Sequence, residues 1–437
     1  MKRLANLVAR TFLVVVMTVI VLALANLACF AFFYFYPGAL EPESARITRE
    51  FNARFVAEQG SHAIEWLALD SNDELQAFSA ENTEHSVIGS AYRDFAHFET
   101  APWKGRFFNF HPEGFREVKN SGPWPPSSKN YNVFFFGGST TMGIGPDWAT
   151  IPSYFQAQLE GRVIDGRPVK AYNFGHGSYF STQERILFQQ VLLEKFVPDM
   201  AVFIDGLNDF YFIDGRPSGW QVFAQVLRDH NEYALRTQNA PLRERVVKSL
   251  SYRTKALIHR ASSLSLVRMA QGISDRLFPS TAVLPIYKPE EPNREQLEAV
   301  IDRYLENQRQ IRGVSRMYGI RPVFVWQPIP GYNYDLRYHI ALNPLYGLGG
   351  HERSSYGYPP MAERRKSTSF GDDFLWLADI QAERREPLYM DAVHYTAKFS
   401  EDIAKHIADF VIGHRDENPA GRAEGRDGMS SSPAGPR

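Results

Sequence analysis

The sequence predicts an α/β protein: a central parallel sheet between two layers of helices, carrying a helical insertion and preceded by an apolar transmembrane helix. Three observations predict it. From Tyr131 onward the near-continuous apolar runs NVFFFG, VKAYNFG, MAVFIDG and RPVFVWQP alternate with stretches of helical periodicity. Runs without polar alternation suit strands buried on both faces, the position of strands in a parallel sheet flanked by helices. Ahead of them, the basic residues Lys2, Arg3 and Arg10 lead into an apolar stretch from Thr11 to Tyr36.

That stretch exceeds the ~20 residues needed to cross a bilayer. Its apolar character continues through AFFYFY to Pro37 with no small-residue cleavage site, unlike a secretory signal peptide. With the positive flank at 1–10 and an aromatic belt at Phe32 to Tyr36, the expectation is a single-pass signal anchor at 11–36 in the inner (cytoplasmic) membrane. The rest of the chain is then periplasmic or extracellular. Cys29 is the one cysteine and lies inside the span, so the exported part can form no disulfide. The stretch LANLAC resembles a lipidation site, but Asn26 stands where an apolar residue is wanted.

Residues 37–130 are expected to form a stalk and N-terminal extension. Ile47, Phe51 and Phe55 recur at four-residue spacing, and a second helical stretch follows around Ile64 to Phe78. Between Tyr92 and Val118 the sequence turns aromatic and turn-rich, which suggests short strands or loops.

The main domain is expected at 131–414. Helical patterns run over Trp148 to Leu159, Thr182 to Phe196 and Asn293 to Met317, the last opening with a capping box at Asn293 and Gln296, and a terminal helix follows from Lys398 to Ile412. A helical insertion occupies about 220–280. Within it, basic residues from Arg243 to Arg268 lie over an apolar stripe from Leu242 to Leu264, either a solvated cap or a contact for anionic lipid or polysaccharide. Pro328 to Phe370 reads as a loop rich in Tyr, Gly and Pro, and 415–437 as a disordered tail. The formal net charge of -1 argues against a general nucleic-acid partner.

In parallel sheets, sites form beyond the carboxyl ends of the strands. Here those ends carry Gly137, Gly138 and Ser139; Asn173, Gly175 and Gly177; and Asp205, Gly206, Asn208 and Asp209. Asp391 and His394 stand just before the terminal helix. A serine at a strand-to-helix turn is exposed, and an imidazole can take its proton and return it to a leaving group. Asp391 can hold the ring in one tautomer, while backbone N–H groups and the Asn208 amide can donate to an oxyanion. Taken singly, Ser139 is equally a helix N-cap and His394 a structural histidine. GSTTMG fails as a phosphate loop, because Ile144 and Gly145 stand where Lys and Ser/Thr belong. Asp205, Asn208, Asp209 and Asp214 fit no calcium-loop spacing, so no metal is expected, and Asp209 is expected to support its loop. His176 and Trp326-Gln327-Pro328 are candidates to line the pocket.

From about Tyr131 to Ile412 these residues resemble the SGNH (GDSL-like) hydrolase superfamily. Its serine matches Ser139 in FGGST, its asparagine Asn208 in GLND, and its Asp-x-x-His block Asp391 and His394. The glycine block matches least well. NFGHGSY puts Ser178 where the oxyanion glycine falls without a gap, and Gly177 is preferred with the register left open. The resemblance implies a flavodoxin-like fold of five parallel strands and no cofactor. It also implies a serine esterase or O-acyltransferase working through an acyl-Ser139 intermediate, with Ser139, Gly177 and Asn208 around the oxyanion. The expected substrate is an ester or an acylated, for instance O-acetylated, envelope glycan; the alternative is a non-catalytic subunit of polysaccharide machinery.

Overall fold

The computed structural model describes residues 2–36, 62–88, 90–93, 95–216, 265–277, 290–342 and 347–413. The expected stalk helix at Ile47 to Phe55, most of the insertion with its basic stripe, and the tail lie outside the described residues. In chain order the helices are α1 (Lys2–Phe35), α2 (Asn72–Ile88), α3 (Ser139–Met142), α4 (Ile151–Gln158), α5 (Ser181–Leu193), α6 (Leu207–Tyr211), α7 (Ser265–Leu277), α8 (Arg294–Tyr318), α9 (Glu352–Ser367) and α10 (Ala397–Gly413). The strands are β1 (Ser90–Arg93), β2 (His97–Thr100), β3 (Trp103–Lys104), β4 (Asn109–His111), β5 (Phe115–Arg116), β6 (Tyr131–Gly137), β7 (Val163–Ile164), β8 (Arg167–Gly175), β9 (Met200–Asp205), β10 (Arg321–Trp326) and β11 (Phe374–Trp376).

The chain divides into two compact units. In the first, Met1–Ala53 with Gln221–Pro285, α1 packs against α7, and the Leu266 N–H donates to Asn26 Oδ1 at 3.0 Å. An amide within an apolar span needs such a partner. Over Arg10–Phe35 the mean hydropathy is 2.7, which makes α1 the one described helix long and apolar enough to cross a membrane. Its apolar side chains, Phe12 and Leu24 among them, are exposed.

The second unit, Arg54–Trp220 with Ile286–Arg437, is built on one sheet of order β11-β10-β9-β6-β8-β5-β4-β3. From β11 to β8 every neighbouring pair is parallel. Numbered by themselves, these five strands run 2-1-3-4-5, the flavodoxin-like order. β5, β4 and β3 extend the β8 edge antiparallel, which is the form taken by the turn-rich segment before Val118.

Successive residues of a strand point to opposite faces, and the core divides accordingly. Val133, Phe135, Val202, Ile204, Val323 and Val325 pack with α4 and α10 residues such as Phe155, Phe399 and Ile403. Phe134, Phe136, Ala201, Phe203 and Phe324 pack on the other face with Leu187, Phe188 and Ile311 from α5 and α8. Both faces are covered, hence the unbroken apolar runs.

The capping box of α8 is formed in both directions, Gln296 N–H to Asn293 Oδ1 at 2.9 Å and Asn293 N–H to Gln296 Oε1 at 3.0 Å. The helix stops at Gly319 in the left-handed conformation, φ 67°. Three expectations need correction. The expected helix from Trp148 begins instead as a 3₁₀ turn, Asp147–Ala149, and α4 starts at Ile151 because Thr150 caps the Ser153 N–H. The expected helix from Ile64 to Phe78 is interrupted: residues 62–66 are helical, Ala68 turns left-handed (φ 51°), and α2 follows from Asn72. The expected loop from Pro328 to Phe370 contains α9, and β11, the fifth parallel strand, follows it. Gly357, Pro359 and Pro360 disfavour a helix locally. Packing overrides them: Tyr358 and Met361 are wholly buried, and a Cβ on Gly357 would meet the Phe210 ring at 2.3 Å.

Candidate active site

The strands end level. Gly137 lies opposite Gly175 and Ile204, and Trp326 opposite Asp205 and Trp376. Where the order reverses, between β6 and β9, the first residue of α3 is Ser139, with Asn208 on α6 across from it. α3 approaches the end of β8 so closely that a Cβ on Gly175 would sit 2.4 Å from the Met142 nitrogen. Asn173 fastens it there, its Nδ2 donating to the carbonyls of Thr141 (3.1 Å) and Met142 (3.2 Å).

Ser139 Oγ lies 2.8 Å from His394 Nε2, and His394 Nδ1 lies 2.6 Å from Asp391 Oδ2. The other carboxylate oxygen, Oδ1, accepts the N–H groups of Val393 (2.9 Å) and His394 (2.8 Å). The loop's backbone thus holds the carboxylate, and the carboxylate holds the ring. With Nδ1 donating to Asp391, Nε2 presents its lone pair to the serine hydroxyl. Burial by itself would raise the Asp391 pKa. The hydrogen bond and charge of His394, with the two backbone N–H groups, outweigh it and bring the carboxyl down to about 2.

Position comes from Gln327, which the sequence suggested only as a pocket wall. Its Oε1 accepts from the Thr140 hydroxyl and from the Tyr395 hydroxyl, both at 2.7 Å. One buried amide therefore ties the neighbour of Ser139 to the neighbour of His394. The loop is closed by Met390 N–H to His394 O, 2.9 Å, and the Phe399 N–H bonds to Thr396 Oγ1 at 3.3 Å as α10 begins.

Asn208 Nδ2 donates to the Tyr179 carbonyl at 2.8 Å, leaving the second amide hydrogen without a partner among the described residues. Of the two glycine-block candidates, Gly177 is exposed with no positive φ, and Ser178 takes the left-handed conformation at φ 63°. That conformation favours glycine. The left-handed position of the block is therefore Ser178 rather than Gly177. Neither N–H donates to a backbone carbonyl among the described residues.

Asp209 accepts from the Ser181 hydroxyl and, at 3.2 Å, from the Gly206 N–H, so it supports the loop as expected. Near it Glu184 and Asp205 are almost wholly buried. Burial first, then the neighbouring carboxylates, pushes both well above the usual carboxylate range. Among the described residues no group of three His, Cys, Asp or Glu could hold a metal ion. His176, a candidate to line the pocket, is interior beside Tyr179, and burial, reinforced by Arg93, drops its pKa to about 3. Trp326 is likewise core. The sequence gives no signal for His351, which stacks on Tyr211 at 4.5 Å. Burial and the charge of His394 lower its pKa to about 4. Ser139 and His394 line a narrow crevice with Trp66, Gly143, Ile144 and Met390. Trp66 comes from the N-terminal extension and was not foreseen.

No family model matches the chain, and no curated protein does. Several solved structures are similar to it. One is a protein assigned to the G-D-S-L lipolytic family from Desulfitobacterium hafniense, 10% identical, with 64% of this chain and 99% of that chain covered and a TM-score of 0.30. Another is an acetylxylan esterase from Geobacillus stearothermophilus, 12% identical, covering 64% and 94% at a TM-score of 0.31. A third is an esterase from Pseudoalteromonas, 9% identical, covering 66% and 100% at a TM-score of 0.28. At these identities and scores the likenesses carry no weight on function, for which the site's own geometry is the basis.

Proposed function

We propose that this chain is a serine ester hydrolase of the SGNH (GDSL-like) type, held at a membrane by α1 with its catalytic unit outside the cytoplasm. The observation that carries the reading is the continuous hydrogen-bonded line from Ser139 Oγ through His394 to Asp391 at the reversal point of the sheet.

The chemistry follows from that line. His394 Nε2 takes the hydroxyl proton as Ser139 Oγ attacks the ester carbonyl, and Asp391 steadies the ring as it becomes cationic. The oxyanion accepts from the free Asn208 hydrogen and from backbone N–H groups of Ser139 and Ser178. His394 then protonates the departing alcohol, and an acyl-Ser139 ester remains. Water, deprotonated by the same imidazole, attacks it, and the imidazolium returns that proton to Ser139 Oγ as the acyl bond breaks and the acid leaves.

The substrate proposed is an O-acyl ester on a cell-envelope glycan, a reading that follows from the proposed location outside the cytoplasm rather than from any one residue. A fluorophosphonate probe tests the nucleophile: it should label the wild type at Ser139 and fail on Ser139→Ala. An unlabelled Ser139 in folded protein would overturn the hydrolase reading. A phosphatase fused after residue 60 should be active only if this side of α1 is exported.

A further inference from the structure

We infer that the cavity built by the N-terminal extension beside the catalytic crevice is an acyl-chain site, made for an apolar acyl group longer than acetyl. This rests on the ester hydrolase reading and names the part of the ester that the reading leaves open.

The cavity measures about 380 Å³. It adjoins the crevice that contains Ser139 and His394: Trp66, Gly143, Ile144 and Met390 line both. An acyl group attached at Ser139 therefore has this cavity next to it. At roughly 30 Å³ per water-sized group, the volume holds about a dozen heavy atoms, against the two carbons of an acetyl group.

Its walls are apolar where they are deep. Phe78, Phe108 and Phe110 are buried and contribute ring faces. The polar groups that reach it are few. Arg116 is spent on the molecule itself, donating to Asp147 Oδ1 and to the carbonyls of Met142, Gly143 and Gly145. The His85 ring lies flat on Phe108 (5.6 Å between centroids, 11° between planes) and on Phe110 (5.1 Å, 5°). Its Nε2 is buried without a partner, and burial, with Arg116 adding and Glu81 opposing, lowers its pKa. Asn82 is exposed.

A sugar brings several hydroxyls, and each left unpaired on desolvation costs on the order of 1–3 kcal/mol. One free imidazole nitrogen and the single Asn82 amide cannot satisfy several hydroxyls. An alkyl chain asks for no partner and gains from every methylene buried. Arg116 contributes by fixing the carbonyls of the turn after α3, so the cavity mouth is held by the residues that follow the nucleophile. Acyl groups of up to roughly a dozen heavy atoms fit this space, hexanoyl among them.

The test is the ratio of kcat/KM for p-nitrophenyl hexanoate to that for the acetate, in wild type, Ala63→Phe and Asn82→Trp. Both substitutions put a bulky ring into the cavity, and Asn82 is exposed, so its variant folds. The wild-type ratio should exceed one, and each variant should lower it at least about tenfold, since a methylene is worth about 10- to 200-fold in a fitted pocket. A wild-type ratio below one, or ratios unchanged in both variants, would overturn the site. Calorimetry of methyl hexanoate with Ser139→Ala separates the two readings. Saturable binding that Asn82→Trp abolishes, in a protein whose Ser139 resists fluorophosphonate, removes the hydrolase and keeps the cavity. Labelled Ser139 with no binding, or binding of an oligosaccharide in place of methyl hexanoate, removes the cavity and keeps the hydrolase.

Discussion

The side-chain amide of Asn208 fills the space that a Cβ on Gly138 would need: its Nδ2 lies 2.4 Å from that position, and the Tyr179 carbonyl oxygen 3.0 Å from it. A side chain at the position before the nucleophile would therefore have to displace this amide. Gly138→Asp should swing Asn208 away and cut kcat about tenfold to a hundredfold, short of the loss on deleting an oxyanion donor. Overpacking should cost about 1–3 kcal/mol, read as a lower urea midpoint. Wild-type kcat in this variant would dissociate Asn208 from the reaction.

Ser139→Ala should reduce turnover of a short acyl ester at least about a thousandfold, because nucleophile and base act as a unit. Asn208→Ala should cost about a hundredfold, one donor of several being lost. Steady-state kinetics on both variants, with circular dichroism to verify folding, ranks them; an Asn208 loss larger than the Ser139 loss would contradict the assigned roles.

Asp391 titrates far below the working range. Its folded pKa of about 2 lies under the ordinary 3.8, so its stabilisation is present above about pH 4 and disappears as pH falls toward 2. The side chain is 42% exposed, so solvent screens the effect and it should be small. Asp391→Asn should show less loss of urea midpoint between pH 5 and pH 2.5 than wild type. It should also lower kcat by up to about ten-thousandfold, the carboxylate no longer selecting the tautomer. Equal acid sensitivity of the two proteins would refute the linkage.

Glu184 has the opposite sign. Its folded pKa is raised above the ordinary 4.5 by burial and by Asp205 and Asp209, so the folded state holds its proton more tightly than the unfolded. That contribution is complete below about 4.5 and is lost as pH rises, since folding then requires proton uptake or a buried charge. Glu184→Gln keeps the shape and removes the titration. Its urea midpoint should exceed that of wild type by more at pH 8 than at pH 5; a gap independent of pH would show that the two states bind this proton alike.

What the sequence alone determined is whatever is written in local pattern. FFF in β6 and VFV in β10 are buried on both faces, so their apolar runs announce strands in a covered parallel sheet. Asn293 and Gln296 cap a helix three residues apart, and the Lys/Arg-flanked apolar run of α1 is legible by length. Ser139, Asn208, Asp391 and His394 were nameable because each belongs to a short block. Tertiary structure decided the rest. Nothing local joins Ser139 to His394, 255 residues apart, at 2.8 Å. Gln327, which braces both, reads as an ordinary strand-end amide. Helix α9 forms against its own prolines because Tyr358, Met361 and Gly357 find partners in distant elements. The cavity joins residues 63–110 to the turn after α3. Such features depend on burial and contact between segments far apart in the chain, and those energies appear only once the sheet has brought the segments together.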